Sequence, residues 1–404
     1  MTGARGGGKP RRMVEIRQIQ LGGDIRPFLD VVDEIYRDDP RYIRPLDLDL
    51  KDRLSPKKNP FFQHAEGTIF TAHKDGKCVG RVTAQIDREH LDRHKDSAGF
   101  FGFLDTVDDE EVARELLAHA ERWLKERGMK VVRGPLSLCI NEEMGCLVDG
   151  FDAPPVLLNP HHRPYQGGLI EKAGYAKVKD VLGWRYEVGE PNARVKKAQE
   201  QIRRMPEVEV RQFSKKDMER DVKMTLDVFN DAWNENWGYV PLTRKEADKM
   251  ASDFKLFLVP EITRLVLIDG EPAAVAIALP NVNELIGDLH GRLFPFGIAK
   301  LLYRLKIEGA KSGRLLILGI KKKFRMQRKY AGLSLFLYAE LNDAGKKVGM
   351  TWGELGWTLE DNAAVNAGIR MMGAKKYKIY RVYEKQLGNG ASSGQPSLAL
   401  PRVG

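Results

Sequence analysis

The chain has few cysteines and no long apolar run. Its 404 residues include three cysteines, too few and too scattered for a disulfide framework or a four-ligand zinc site. No stretch approaches the roughly 18 uninterrupted apolar residues of a membrane-spanning helix. Segment 1–12 is rich in Gly and Arg and lacks the apolar core of a secretory signal. These absences favour a cytoplasmic protein, and the length allows two or three domains.

The chain also has fewer acidic than basic side chains. Lys and Arg number 66 against 56 Asp and Glu, which gives a net charge of +10. A basic chain favours an anionic partner: nucleic acid, an anionic membrane surface or a phosphorylated cofactor. Charge alone does not choose among these three. The pair His161-His162 does not predict a metal site, because adjacent imidazoles rarely bind one ion.

Internal repeats divide the chain into two similar parts. Three short segments recur in the same order at an offset of about 194 residues. The matches are 14–19 with 208–213, Asp75-Gly76 with Asp269-Gly270, and 174–179 with 373–378. The repeats predict two copies of one domain, copy 1 at 13–188 and copy 2 at 207–387. A linker is expected at 189–206 and a disordered tail at 388–404.

Each copy is predicted to have an α/β (α+β) fold, in which helices flank a mixed, mostly antiparallel sheet. The Asp-Gly pairs lie between β-rich runs, a strong indication of hairpins. A further strand, at 99–104 or 315–320, leads to an amphipathic helix. The copies differ by inserts, at 134–160 in copy 1 and at 285–312 in copy 2. The insert of copy 1 contains Asn141, Glu142 and Glu143, which are expected to complete a cleft shared with copy 2.

A basic loop follows strand 315–320 of copy 2. The loop reads KKKFRMQRKYAG, and the next helix is expected to begin near Gly332. Backbone amides at a helix start point outward and the helix dipole favours anions, so this arrangement indicates a phosphate site. A solvated basic loop is the alternative. In copy 1 the corresponding segment, 103–111, is acidic, which predicts that copy 1 binds no phosphorylated cofactor.

The order β–α–β–β–β–α–β–α, with this loop after the fourth strand, resembles the GNAT superfamily of acyl-CoA-dependent N-acyltransferases. In that family the loop reads Gln/Arg-x-x-Gly-x-Gly/Ala, and its amides hold the CoA pyrophosphate. Lys329-x-x-Gly332-x-Ser334 is the match here. The resemblance implies an acyl-CoA co-substrate, an amine acceptor and no metal. It assigns CoA contacts to Leu318, Gly319, Ile320, Arg325, Arg328, Lys329, Gly332, Leu333, Ser334, Asn362 and Asn366.

Segment 354–375 resembles the fifth strand and fourth helix of the family. Asn362, with a Gly eleven residues later, matches the family's pantetheine-binding Asn, although the same residues also suit the two caps of a helix. The family's Tyr position is Ile369 here, so Tyr380 is predicted to protonate the thiolate in its place, with Tyr377, Tyr383 or unassisted departure as alternatives.

A base must remove the proton of the attacking amine. Glu354 is an acid within an apolar strand, where burial raises a carboxyl pKa, and we predict it as the base. A structural carboxylate paired with a core Arg or Tyr is the alternative.

The aromatic and polar segment 230–241 is predicted to shape the acceptor pocket, together with neighbouring groups. The alternative is an ordered loop packed on its own aromatics. The predicted substrate contacts are Trp233, Asn236, Trp237, Tyr239, Asn281, Glu284, Phe294 and Phe296. Segment 290–307 contains apolar and basic residues but no Asp or Glu. Three roles fit this composition: it gates a long acyl chain, it rests on a membrane as a peripheral contact, or it packs on the other copy.

Residues 13–387 resemble a bacterial tandem-GNAT family of the ceramide synthase type, on the blocks 134–150, 233–241, 292–297 and 357–362. The resemblance implies acyl transfer to a lipid-like amine such as a sphingoid base, in the cytoplasm or on the inner face of the membrane, with no nucleic-acid partner. The alternatives are an N-acetyltransferase of a small molecule or protein, and a non-catalytic protein that binds anionic lipid or nucleic acid.

Overall fold

The computed structural model describes residues 13–388, so the predicted tail lies outside the described residues beyond Gly388. The strands are β1 (Glu15–Ile19), β2 (Ala65–Lys74), β3 (Lys77–Asp87), β4 (Ala98–Thr106), β5 (Val131–Gly134), β6 (Leu136–Ser137), β7 (Glu143–Met144), β8 (Cys146–Asp149), β9 (Ala176–Glu187), β10 (Val208–Arg211), β11 (Thr263–Ile268), β12 (Glu271–Pro280), β13 (Ser312–Ile320), β14 (Trp352–Leu359) and β15 (Lys375–Gln386). The α-helices are α1 (Arg26–Ile35), α2 (Asp47–Arg53), α3 (Arg88–His94), α4 (Glu110–Glu126), α5 (Gln166–Lys172), α6 (Ala193–Arg203), α7 (Met218–Ala232), α8 (Arg244–Phe254), α9 (Asn283–Ile286), α10 (Gly297–Tyr303), α11 (Lys322–Arg325), α12 (Leu333–Lys347) and α13 (Ala363–Met371).

One sheet of 13 strands runs through both copies. Its order is β1-β2-β3-β4-β5-β15-β9-β14-β13-β12-β11-β10, with β8 beside β15. The pairs β4–β5 and β13–β14 are parallel, and all other pairs of this sheet are antiparallel. The mixed α/β fold with two similar halves is therefore confirmed.

The two copies exchange their last strands. β15, the last strand of copy 2, pairs with β5 of copy 1, and β9, the last strand of copy 1, pairs with β14 of copy 2. β9 and β15 also pair with each other, which closes the gap between the halves. The copies therefore share one sheet, and their boundaries as independent domains stay a prediction.

The predicted hairpins have matching turns. Asp75 and Gly76 join β2 to β3 with φ of +52° and +75°, and Asp269 and Gly270 join β11 to β12 with φ of +49° and +78°. Two successive residues with positive φ form the tight turn that suits strand twist, and Asp and Gly tolerate it. The repeat in the sequence thus corresponds to a repeated local conformation.

A long helix covers the sheet in each copy. In copy 1, α4 buries Leu116, Leu117 and Leu124 against the strands. In copy 2, α12 buries Phe336 and Leu337 in a core that also includes Val195 and Ile202 of α6. Each fully buried side chain of this size contributes about 1.5–3 kcal/mol. Segment 189–206, predicted as a linker with a basic helix at 193–204, therefore carries that helix as α6, and the helix belongs to the core of copy 2.

Copy 1 fills its own strand opening. β4 and β5 pair at three positions, ending at Phe100 opposite Arg133, and beyond this pair residues 135–138 occupy the space between the strands. Gln85 donates Nε2–H to the carbonyl oxygens of Leu136 (2.7 Å) and Leu138 (3.2 Å). A Cβ on Gly102 would lie 2.1 Å from the Leu136 oxygen, so the backbones touch at this point.

The start of α4 in copy 1 is also occupied. The Asp109 carboxylate accepts hydrogen bonds from the backbone N–H groups of Glu111 (3.0 Å) and Val112 (3.3 Å). A capped helix start offers fewer amides to a phosphate. Both features give a physical reason for the prediction that copy 1 binds no CoA, which stays a prediction. Between residues 13 and 388, no helix combines the length and apolar character needed to span a bilayer.

Candidate functional site

A cleft opens in copy 2 where β13 and β14 separate. The two parallel strands pair at three positions, ending at Arg314 opposite Glu354. Gly356 then takes a φ of +55°, a conformation that glycine adopts readily, and β14 bends away from β13. Residues 315–320 and 355–359 face each other across a cavity of about 460 Å³, which we call the strand cleft.

One end of the strand cleft lies at the start of α12. Gly332 precedes the helix, and within the described residues no side chain caps it. The first amides of an uncapped helix lack partners and attract anions. This differs from α4 of copy 1, where Asp109 takes that place. The predicted helix start near Gly332 is confirmed, with one addition: the short helix α11 lies within the basic loop.

The basic loop is partly neutralised. Four of its lysines form ion pairs with acids, namely Lys321 with Asp227 and Glu271, Lys322 with Glu235, Lys323 with Glu271, and Lys329 with Glu207. Arg325 and Arg328 have no ion-pair partner among residues 13–388. Arg325 also lines the strand cleft. Of the loop's charges, these two arginines are therefore the ones available to a bound phosphate.

Six of the predicted CoA contacts line the strand cleft, and five do not. The six are Leu318, Gly319, Ile320, Arg325, Ser334 and Asn362. The other five are Arg328 and Lys329, which are exposed, Gly332, which precedes α12, Leu333, which is buried in the core, and Asn366, which is buried beside β14. Their roles as CoA contacts stay predictions.

Both asparagines at the start of α13 make structural contacts. The Asn362 side chain accepts a hydrogen bond from the Val365 N–H (3.2 Å) and so caps the helix, while the same residue lines the strand cleft. Asn366 accepts from the Thr358 hydroxyl (2.6 Å) and donates to the Leu359 oxygen (3.0 Å). Asn366 thus ties α13 to β14.

The other end of the strand cleft is apolar. It lies between the sheet and the helices α7 and α8, which supply Val222, Leu226, Phe229, Ala247, Met250, Ala251 and Phe254 to its lining. Trp233, at the end of α7, packs directly on β13. A Cβ atom on Gly319 of that strand would lie 2.4 Å from the ring of Trp233. The cleft therefore runs from a cationic opening to an apolar interior.

A second cavity of about 290 Å³ lies between the copies, and we call it the acidic chamber. Its polar lining includes Asp49, Asp52, Arg53, Arg81, Asp105, Asn141, Glu142, Glu143, Asn159, His161, His162, Glu246, Lys249 and Asp253. Asn141, Glu142, Leu158, Leu242, Met250 and Phe254 line both cavities. The acidic chamber and the strand cleft therefore meet at these side chains.

Two curated proteins are similar to the chain over most of its length. A protein named bacterial ceramide synthase, from Caulobacter vibrioides, is 38% identical over 374 residues, which cover 91% of this chain and 96% of that protein. Protein YghO of Escherichia coli strain K12 is 37% identical over 374 residues, 92% of this chain and 95% of that protein. No protein-family model matches the chain.

Solved structures show the same fold. A tandem GNAT protein from the clavulanic acid biosynthesis pathway has a TM-score of 0.57 at 12% identity and covers 94% of this chain and all of that one (100%). A GCN5-related N-acetyltransferase from Sphaerobacter thermophilus has a TM-score of 0.53 at 14% identity, with 94% and 98% covered. The chain is a tandem-GNAT N-acyltransferase. The fold and family expected from the sequence are thus confirmed.

Glu354 of this acyltransferase lies beneath the strand cleft and not in it. Its side chain is fully buried, lines neither cavity, and accepts hydrogen bonds from the Tyr377 hydroxyl and from Asn159 Nδ2 (3.0 Å). Burial raises the pKa of Glu354, and the Tyr377 hydrogen bond opposes that rise. The contacts are those of a structural carboxylate, the alternative weighed above, and the base role stays a prediction.

Tyr380, the predicted acid, is also fully buried. Its hydroxyl has no hydrogen-bond partner among residues 13–388, and burial raises the pKa of Tyr380 well above its usual value. It lines neither cavity. A hydroxyl that does not reach a cavity cannot pass a proton directly to a thiolate, so its role stays a prediction as well.

The predicted acceptor residues are dispersed. Trp233 and Asn236 line the strand cleft. Trp237 contacts copy 1, with Arg133 over its ring at 5.5 Å, and Tyr239 is buried with its hydroxyl on Asn230 Oδ1 (2.7 Å). Trp237 and Tyr239 thus match the alternative of an ordered loop packed on its aromatics.

The remaining predicted acceptor residues lie outside both cavities. Asn281 donates to the Ser312 hydroxyl (3.1 Å), and Glu284 accepts from the Lys311 N–H (2.7 Å), so both fasten the start of β13. Phe294 and Phe296 are 75% and 81% exposed at the protein surface. The acceptor roles of these residues stay predictions.

The insert of copy 1 at 134–160 does reach copy 2, and Asn141 and Glu142 line both cavities. Sequence reasoning expected this shared cleft but missed the specific contacts of segment 151–162. Arg314 donates Nη1–H to the Leu157 oxygen, Lys378 donates Nζ–H to the oxygens of Ala153 (2.8 Å) and Pro154 (3.0 Å), and Asn159 binds Glu354. Arg314 carried a usable signal, because it is a charge inside an apolar strand, as Glu354 is. The sequence of segment 151–162 carried no signal for these contacts.

Replacing Glu354 by Leu tests its structural role. The variant leaves the Tyr377 hydroxyl and the Asn159 amide without an acceptor, so we expect a loss of about 2–5 kcal/mol in the free energy of unfolding. Urea unfolding at pH 7 measures it. Glu354→Gln keeps an acceptor oxygen and should lose less. A Leu variant as stable as the native protein would contradict this role, and a stable Gln variant with turnover reduced 100-fold or more would instead support the base role.

Proposed function

We propose that this protein transfers a long acyl group from an acyl-CoA thioester to the amine of a lipid-like acceptor, such as a sphingoid base. The observation that carries the proposal is the continuity of the strand cleft. It begins beside an uncapped helix start and Arg325, and it ends between the apolar side chains of α7 and α8. A long-chain acyl-CoA matches this arrangement, because its anionic nucleotide suits the cationic end of the cleft and its acyl chain suits the apolar end.

The nucleotide end suits a diphosphate. The first amides of α12 supply hydrogen-bond donors, and Arg325 and Arg328, which have no ion-pair partner among the described residues, supply positive charge. The pantetheine arm would lie between β13 and β14, where the strands no longer use each other's backbone groups. Copy 1 offers neither feature, since its strand opening is filled and its helix start is capped by Asp109.

The apolar end suits an acyl chain longer than acetyl. An acetyl group would leave the side chains of Leu226, Met250 and Phe254 facing empty or wet space, whereas a long chain would bury them. The similarity to the protein named bacterial ceramide synthase supports a sphingoid base as the acceptor. An acetyltransferase of a small molecule or protein would gain nothing from this part of the cleft.

Stabilisation by acyl-CoA thioesters of different length tests the proposal. We expect palmitoyl-CoA to bind more tightly than acetyl-CoA and therefore to raise the thermal unfolding midpoint more at equal concentration. A ligand at 100 times its Kd adds about 2.7 kcal/mol to the free energy of unfolding. Equal shifts would favour a short-chain acetyltransferase, and no shift with either would favour a binding protein without chemistry.

A matched pair of variants on α8 locates the chain. Ala251 lines the strand cleft and Ser252, its neighbour, is exposed and does not. Ala251→Trp should remove the advantage of palmitoyl-CoA over acetyl-CoA, and Ser252→Trp should keep it. An unchanged preference in the Ala251 variant would show that the chain binds elsewhere.

We also propose that the insert of copy 2 rests on an anionic lipid bilayer. Leu301 of α10 is buried in the insert's own core, but Phe294, Phe296 and Ile307 are 68–81% exposed. Arg292 and Lys306 are exposed and have no ion-pair partner within the described part of the chain. Exposed aromatic side chains beside free cations are typical of an interfacial surface.

Co-sedimentation with lipid vesicles tests this surface. We expect more binding to phosphatidylglycerol than to phosphatidylcholine vesicles, and a loss of at least about tenfold when Phe294 and Phe296 are both changed to Ser. Leu48→Ser, which removes a half-exposed apolar side chain from α2, is the control. The proposal fails if the double variant binds as well as the native chain.

A further inference from the structure

The acidic chamber has the opposite charge from the rest of the protein. The whole chain carries a net charge of +10, yet the chamber is lined by seven carboxylates and three Lys or Arg side chains. Lys58 and His64 lie outside the lining and pair with Asp52 and Glu246, so carboxylates remain in excess by two. Side chains of both copies supply these acids: Asp49 and Glu142 come from copy 1, and Glu246 and Asp253 from copy 2. A cation is therefore the charge that the chamber favours.

Buried polar atoms of the lining lack partners. Asn159 is 6% exposed and its Oδ1 has no hydrogen-bond partner within 13–388, and His161 is 7% exposed with Nδ1 in the same state. Both side chains line the chamber. Buried polar atoms are normally paired, so these two leave hydrogen-bonding capacity unused beside the chamber.

Glu142 lies where the two cavities meet. Arg53 donates from Nε (2.9 Å) and Nη2 (2.7 Å), and both bonds go to Oε2 of Glu142. Oε1 has no hydrogen-bond partner among residues 13–388. Arg53 also donates a hydrogen bond to Glu143 Oε1 (3.0 Å). Glu143 lines the acidic chamber but not the strand cleft. Glu142 is thus a positioned carboxylate with one free oxygen at the entrance from the chamber to the strand cleft.

We propose that the acidic chamber binds the ammonium head of the acceptor and that Glu142 accepts its proton where the chamber meets the strand cleft. This inference rests on the proposed transfer from an acyl-CoA thioester. It gives copy 1 a direct part in the reaction, because Glu142, Glu143 and Arg53 all belong to that copy. The acceptor's polar head would lie in the chamber while the acyl donor fills the strand cleft.

The proposed step balances as follows. The ammonium gives one proton to Glu142 Oε1, and the lone pair of the resulting amine forms a C–N bond with the thioester carbon. The C–S bond then breaks and its electron pair leaves with sulfur. The second proton of the nitrogen ends on the thiolate, giving a thiol, and Glu142 returns its proton to solvent. The products are an amide, free CoA and one proton.

The surroundings of Glu142 suit a base near neutral pH. Burial raises the pKa of Glu142, and the nearby Arg53 opposes the rise. The charged and titratable groups around it are Asp49 and Arg53 of α2, Cys139 and Glu143 of its own segment, and Glu246, Lys249 and Asp253 of α8. His64 binds Glu246, and the hydrogen bonds of its ring with Asp87 and Glu246 raise the pKa of His64 to about 10. Because the carboxylate is the active form, kcat/KM should fall as the pH decreases through this raised pKa.

Binding of a simple amine tests the chamber without any reaction. Dodecylamine and dodecanol have the same chain and differ in the charged head. By calorimetry at pH 7, we expect the native protein to bind the amine at least about tenfold more tightly than the alcohol. The double variant Glu142→Gln/Glu143→Gln should lose that difference. Equal affinities in the native protein, or an undiminished difference in the double variant, would overturn the chamber assignment.

The two glutamates form a matched pair for kinetics, because both bind Arg53 and only Glu142 reaches the strand cleft. With palmitoyl-CoA and sphinganine, we expect Glu142→Gln to lower kcat about 100-fold or more and to abolish the acid limb of the kcat/KM profile. Glu143→Gln removes a carboxylate from the chamber but not from the strand cleft, so it should raise KM for the amine by a larger factor than it lowers kcat. Glu142→Asp, which retains the charge, should recover part of kcat if the Gln variant is unstable.

Failure of this inference differs from failure of the proposed function. If the native protein transfers acyl groups and Glu142→Gln keeps both its kcat and its acid limb, Glu142 is not the base. If the native protein transfers no acyl group from any CoA thioester, the proposed function fails, and the amine-binding experiment alone decides whether the chamber holds a cation.

Discussion

The separation of β13 from β14 is the constraint on which the site depends. These parallel strands share three paired positions and then part, so their backbone groups and side chains face a cavity instead of each other. Gly356 makes the bend possible through its positive φ. Copy 1 has the same strand order, but residues 135–138 fill the equivalent opening. One repeated architecture thus gives one open cleft and one closed one.

The closed copy nevertheless builds part of the open one. Segment 151–162 leaves copy 1 and runs beneath the strand cleft, where Leu157 receives a hydrogen bond from Arg314 and Asn159 binds Glu354. The exchange of β9 and β15 holds the two halves in this relation. The acidic chamber forms between them, and its charge is opposite to that of the cationic loop near Arg325. The fold therefore holds a cationic region at the loop near Arg325 apart from an anionic region in the acidic chamber.

Local features of the fold could be predicted from the sequence, because they depend on neighbours along the chain. The Asp-Gly turns, the strand before the basic loop and the start of α12 each follow from short-range patterns and were found where expected. The strand exchange could not be predicted, because nothing in the residues of β9 and β15 specifies which open sheet edge each of them pairs with. Register between distant strands is set by packing and not by local periodicity.

The candidate site was predictable only where it is local to copy 2. The lining by Leu318, Gly319 and Ser334 followed from the resemblance of this strand and its loop to the GNAT pattern. Trp237 and Tyr239, in contrast, pack structurally although their composition suggested a pocket. The burial of Glu354 was foreseen correctly, but burial serves a structural carboxylate as well as a base. A shared cleft with Glu142 was expected from the insert of copy 1, but the hydrogen bonds of Glu142 with Arg53 depend on packing that a single sequence does not reveal.

A structure of the protein with a non-reactive thioether analogue of palmitoyl-CoA would test the central claim most directly. The account predicts the diphosphate at the start of α12, the pantetheine arm between β13 and β14, and the end of the chain between α7 and α8. A nucleotide bound between β4 and β5, or a chain directed away from the two helices, would contradict it.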